Sequence, residues 1–176
     1  MMKNCALCNG PVEVVKDKPY EYTESGLDVV LYGITQYRCA ECGETFAALP
    51  KIQDLHKVIG KDICANKKAL LKPEEIIFLR KNMHLKAKDM AKILGVTPSV
   101  YSRWENGKKT ISDPYDRLLR MVYMACVTEK SGCNDALTVN LFRNLSSKRK
   151  EIEQPSQIIL NPQEWMLEGA TACGLA

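Results

Sequence analysis

The 176 residues hold eight cysteines, and four of them fall into two Cys-x-x-Cys pairs. These are Cys5-Ala6-Leu7-Cys8 and Cys39-Ala40-Glu41-Cys42, separated by residues 9–38. A spacing of two lets both sulfurs of a pair reach one ion from a tight turn, and two such knuckles complete a closed tetrahedral shell of thiolates. Gly10 and Gly43 follow the pairs, where the chain must bend back with few steric limits. A single pair could be a thioredoxin-like redox motif, but that needs a βαβ setting, and two pairs argue against it. The expected ligands are therefore Cys5, Cys8, Cys39 and Cys42, and the expected cofactor is Zn2+, although iron suits the same thiolates. A four-sulfur shell has no open position, so the ion would be structural and not catalytic. About fifty residues bury little core, and metal binding would supply roughly 10 kcal/mol or more of folding free energy. Cys64, Cys126, Cys133 and Cys173 have no partner at knuckle spacing and read as buried or incidental thiols.

The elements that must position these groups follow from the pattern of the chain. Between the cysteine pairs, Glu13-Val14-Val15 and Leu27 to Tyr32 read as short strands, with turns at Lys18-Pro19 and Ser25-Gly26. Ile52, Leu55, Ile59 and Ile63 repeat at three- and four-residue spacing, which predicts a linker helix within 51–72. Residues 73–127 read as short helices between tight turns. Pro73 with Glu74-Glu75 opens one, and Asp89 to Leu94 forms a second, closed by Gly95 with Val96 plugging the core. Thr97 caps a third from Ser99 to Glu105, with Pro98 at its first position. Asp113-Pro114 opens a fourth, with Leu118, Leu119, Val122 and Tyr123 as its buried face. Beyond residue 128 the signals weaken: Leu137, Leu141 and Leu145 fit one helix, and Gln157 to Leu160 a short strand able to join a sheet edge.

Charge divides the chain in the same way. Residues 1–50 carry four basic against seven acidic side chains, residues 51–130 carry 17 against nine, and residues 131–176 carry four against five. The positive middle favours a polyanion, and the acidic start is compatible with a basic protein partner. The second and third helices, joined at Gly95, fit the helix-turn-helix pattern, in which the third would lie in the major groove of DNA. Ser99 and Arg103 are four apart and share a face, and an arginine can bond guanine through two parallel contacts, worth about 1–3 kcal/mol of discrimination. Thr97 and Ser102 suit phosphates or bases, and Lys108 and Lys109 the sugar-phosphate backbone.

Residues 73–125 resemble the lambda-repressor/Cro-like (XRE) helix-turn-helix family. The resemblance is carried by Arg80, by Met90-Ala91-x-x-Leu94-Gly95-Val96 and by Ser102-Arg103-Trp104-Glu105-x-Gly107. With both cysteine pairs and the Tyr20 to Gly33 segment, the order resembles antitoxins of the MqsA type, which join a YgiT-type zinc module to such a domain. The resemblance spans residues 1–127. It implies base contacts from Ser99 and Arg103, an Arg80–Glu105 ion pair, repression of the protein's own operon, and neutralisation of a small RNA-cleaving toxin gripped by the zinc module. Two departures stand out. Ala87 occupies the position where the family usually has glutamine, so phosphate contacts are expected from the flanking Lys86 and Lys88, and the segment 128–176 is absent from the short antitoxins.

The expected fold is therefore α+β. A four-cysteine zinc module (1–50) and a linker helix (51–72) lead to an all-α helix-turn-helix domain of the lambda-repressor type (73–127) and an extension (128–176). The expected function is a sequence-specific DNA-binding repressor that binds a palindromic operator as a homodimer and serves as the antitoxin of a toxin–antitoxin pair. The alternative is a free-standing transcription regulator whose zinc module or extension binds another protein or a signal. No nucleophile–base pair, acidic metal cluster or phosphate-cradling glycine loop is present, which argues against an enzyme. No run of about 18 apolar residues exists for a membrane span, and Met1 to Cys5 lacks the apolar core of a signal peptide, so a cytoplasmic location is expected.

Overall fold

The β-branched and aromatic runs between the cysteine pairs supply most of the strands of two small sheets, and the 3–4 spaced apolar residues of 52–129 wind into helices. The computed structural model describes residues 4–15, 18–49, 51–129 and 158–160. The expected helix at Leu137 to Leu145, together with Cys133 and Cys173, lies outside these residues. The fold is α+β, with a small β-rich region carrying the cysteine cluster followed by helices.

The first sheet is antiparallel in the order β1 (Val12–Val15), β4 (Gln36–Cys39), β5 (Thr45–Ala47). Val12 faces Cys39 and Tyr37 faces Phe46, and the Tyr37 and Phe46 rings stack with centroids 5.6 Å apart. The second sheet has the order β2 (Tyr20–Glu21), β3 (Val29–Leu31), β6 (Ile158–Leu160). β2 and β3 form a hairpin through a 3-10 turn at Thr23–Ser25, closed by Gly26 in the left-handed region, φ +72°. β6 runs parallel to β3, with Val29 opposite Ile158 and Leu31 opposite Leu160. The strand expected near Gln157 to Leu160 thus joins the edge of the chain's own N-terminal hairpin.

Five helices follow the first sheet among the described residues: α1 (Ile52–Ala65), α2 (Pro73–Asn82), α3 (Ala87–Ile93), α4 (Pro98–Glu105) and α5 (Asp113–Glu129). α1 packs on α2 and α5, and α4 on α2 and α3. Leu55, Ile59 and Ile63 are buried as the spacing requires, whereas Ile52, in the first turn of α1, is 46% exposed and lies off that face. α3 begins at Ala87, two residues before the expected Asp89, because Ala87 packs against the core. On α5 the stripe is turned from the expected one. Leu119 and Tyr123 are buried, Leu118 is 37% exposed, and Asp116 and Arg120 take inward positions.

The buried apolar core crosses residue 50. Tyr22, Val29, Leu31 and Ile34 belong to the same cluster as Leu55, Ile59, Leu79, Trp104, Tyr123 and Leu160. At the centre of this core is an ion pair with both side chains at 0% exposure, Arg120 Nε to Asp116 Oδ2 at 3.0 Å. The guanidinium also donates to the carbonyls of Ile63 (2.5 Å), Lys67 (3.1 Å) and Ala69 (2.8 Å), and Asp116 accepts from the N–H of Leu71 (2.7 Å). Arg120 thereby satisfies carbonyls left open at the end of α1 and pins the α1–α2 connection to α5.

The helices α1 and α5 meet where Gly60 lies against Tyr123, whose hydroxyl donates to Asn82 Oδ1 at 3.1 Å. A β-carbon at Gly60 would overlap that hydroxyl and ring. Gly60→Ala is expected to lower unfolding free energy by about 1–3 kcal/mol, the usual cost of overpacking a tight contact. Equilibrium denaturation measures it, and an unchanged midpoint would contradict this helix contact.

Candidate metal centre and nucleic-acid interface

The two cysteine pairs adopt the same local conformation. In the first, the N–H of Cys5 donates to the Gly10 carbonyl (2.8 Å) and the N–H of Asn9 to the Cys5 carbonyl (3.0 Å). In the second, Cys39 donates to Glu44 (2.8 Å) and Gly43 to Cys39 (3.1 Å). The left-handed residue is the fourth after each leading cysteine, Asn9 (φ 60°) and Gly43 (φ 72°). Asn9, not Gly10, therefore makes the first bend, and asparagine is one of the few residues that enter this region routinely. Gly10 lies against the exposed Glu41 side chain, whose carboxylate a β-carbon there would displace.

Pairing of β1 with β4 brings the knuckles together. The four sulfurs lie within 4.8 Å of one another, with Cys5 3.6 Å from Cys42 and Cys8 3.4 Å from Cys39. Backbone N–H groups of Leu7 and Gly10 point at the Cys5 and Cys8 sulfurs, both at 3.4 Å. Donation from the Cys42 backbone N–H lowers the Cys39 thiol to a pKa of about 7. At Cys42 the Glu44 N–H favours the thiolate, but the neighbouring Cys39 and Cys8 sulfurs outweigh it and raise the thiol to about 12. The first proton leaves readily and the later ones do not, because thiolates packed this closely repel one another. A cation at the centre removes that repulsion, so the donor set fits a metal ion.

The helical region positions the second candidate site. Met90 and Ala91 on α3 are fully buried, and Gly95 turns the chain at φ 69°, with the Val96 N–H bonded to the Ala91 carbonyl at 2.9 Å. α4 follows after Thr97, whose hydroxyl oxygen accepts from the Val100 N–H at 3.3 Å, with Pro98 at the first position as expected. Tyr101 and Trp104 anchor the inner face of α4. The other end is fixed by Arg80 Nε bonded to Glu105 Oε1 at 2.6 Å and Arg80 Nη1 to the Leu85 carbonyl at 2.9 Å, so the anticipated Arg80–Glu105 pair is present. Thr97, Ser99, Ser102 and Arg103 are all exposed, as are Lys86, Lys88, Lys108 and Lys109 on the flanking segments. Among the described residues no acid pairs with Arg103 or with these four lysines.

Asn106 escaped the sequence reading. Its side-chain amide donates to the Ser102 carbonyl (2.8 Å) and hydroxyl oxygen (3.1 Å). Its place before Gly107 marked only the end of a helix. His56, outside the metal-ligand set, is half-buried. It bonds the Tyr22 hydroxyl through Nε2 at 2.7 Å, and burial lowers its pKa.

A family model described as the antitoxin component of the bacterial toxin-antitoxin system, MqsA, matches residues 2–125. The chain belongs to the MqsA antitoxin family. No curated protein matches the sequence. The MqsA match takes in both knuckles and all but the last turn of α5, and it ends before β6, the strand that completes the second sheet. Among the described residues no helix is long and apolar enough to cross a membrane.

Proposed function

We propose that this MqsA-family antitoxin is a sequence-specific DNA-binding repressor of its own operon, and a binding protein rather than an enzyme. Zn2+ held by Cys5, Cys8, Cys39 and Cys42 serves as its structural ion, and a small basic toxin is its protein partner. α3 and α4 act as a helix-turn-helix. α4 enters the major groove of a palindromic operator, a homodimer presents two such helices about one helical turn apart, and the cytoplasm is the site of action. One observation carries the reading. Ser99 and Arg103 face solvent together from a helix clamped at both ends, with no acid on Arg103 and exposed lysines on both flanks. Ser99 and Arg103 read base edges, Lys86, Lys88, Lys108 and Lys109 grip phosphates, and Thr97 and Ser102 contact the duplex beside them. The acidic N-terminal fifty residues complement a basic toxin.

Footprinting on DNA upstream of the gene, with co-purification of the neighbouring gene's product, tests both halves. Arg103→Ala is expected to weaken operator binding about 10- to 100-fold and to relax preference at one base pair. Unchanged affinity and preference in that variant would remove α4 from the role of recognition helix.

A further inference from the structure

We propose that Asn106 is a positioning residue that commits the Ser102 hydroxyl to donate to a backbone phosphate of the bound duplex. The inference rests on the nucleic-acid reading above and assigns a ligand to one part of it. The Ser102 carbonyl is an acceptor only, so the group facing it at 2.8 Å must be the NH2 of the Asn106 amide. That same nitrogen stands 3.1 Å from the Ser102 Oγ, which must therefore accept there too. The Ser102 proton points elsewhere and meets no acceptor among the described residues. Thr97 repeats the arrangement at the start of α4, where its oxygen accepts from the donor-only Val100 N–H.

Helical geometry says where the Ser102 proton is aimed. Consecutive residues stand about 100° apart around a helix, so Ser102 projects beside the Ser99–Arg103 face. With Ser99 and Arg103 turned to the base edges, Ser102 faces the groove wall, where the phosphate oxygens are acceptors only. The chain then reverses at Gly107 (φ 67°), and the Lys109 N–H bonds the Arg103 carbonyl at 3.2 Å. Lys109 is thereby held against the end of α4 by a bond to the residue that follows Ser102, with exposed Lys108 next to it, so a hydroxyl donor and two cations belong to the same end of the helix.

The test uses the full chain and the duplex upstream of its own gene, with single phosphates replaced one at a time by neutral methylphosphonates. Wild-type protein should lose affinity at one such phosphate. Ser102→Ala and Asn106→Ala should each lower affinity about tenfold, the worth of one hydrogen bond to a charged acceptor, and should no longer sense that replacement. The double variant should be no weaker than Ser102→Ala alone, since both changes remove one interaction. Base preference should survive in all three, whereas Arg103→Ala should relax preference at one base pair and keep the methylphosphonate response. A shift of base preference in Ser102→Ala, or full affinity in Asn106→Ala, overturns the proposal and leaves the repressor reading standing. Equal wild-type binding to operator and random duplex overturns both.

Discussion

Replacing Cys39 with serine is expected to release the metal and melt the sheet formed by β1, β4 and β5. Cys39 ends β4 opposite Val12, donates its N–H to Glu44, and is one of the two buried sulfurs of the cluster. These strands are three or four residues long, and of their side chains only Tyr37 and Cys39 are buried. Such a sheet cannot stand by apolar burial alone, while a four-thiolate ion supplies roughly 10 kcal/mol. The hairpin of β2 and β3 has another source of stability, because Tyr22, Val29 and Leu31 are buried with the helices. Elemental analysis should find no bound ion, and hydrogen exchange should show residues 5–15 and 36–47 unprotected with α2 to α5 still protected. One ion per chain in the variant, or exchange protection lost throughout, would contradict the assignment of the cluster as a local folding centre.

Arg120→Met should be the most damaging single change in the helical region. It removes the cation that faces Asp116 at 0% exposure and takes the guanidinium donors away from the carbonyls of Ile63, Lys67 and Ala69. Breaking a buried pair of this kind costs about 3–5 kcal/mol, far more than the net worth of the intact pair. A double variant, Asp116→Leu with Arg120→Met, removes the buried carboxylate as well and should recover part of the loss. Urea denaturation of the wild type and both variants gives the comparison. A loss below about 1 kcal/mol for Arg120→Met would mean that water reaches the pair, since exposed pairs contribute no more than that.

Local signals carried most of the site. Two cysteines at a spacing of two, a threonine before a proline, and a glycine after Ala91-x-x-Leu94 each describe one turn of chain, and each is found where its chemistry required. Partners distant in sequence were less legible. β4 and β5 were not marked, since Gln36-Tyr37-Arg38-Cys39 and Thr45-Phe46-Ala47 are too short for periodicity and exist because β1 and the knuckles hold them. Asp116 and Arg120 resemble a surface i, i+4 pair, and that resemblance hid their burial. The available signal was their register, because Asp116, Arg120, Tyr123 and Val127 fall on one 3–4 spaced stripe with Leu119. Leu118, Leu119, Val122 and Tyr123 are the apolar residues of this stretch and so suggest a different face, but the carbonyls at the end of α1 take Arg120 inward in place of Leu118.

The parallel strand β6 gives the molecule an order of assembly during synthesis. Val29 to Leu31 leave the ribosome long before Leu160 does, and at ordinary translation speeds the interval is on the order of ten seconds. Throughout that time the nascent hairpin presents an open apolar edge, the kind of surface that pairs with whatever strand it meets. A message cut short after α5 would yield the knuckles and the helices with that edge permanently uncovered, and so a product prone to clumping or to early proteolysis.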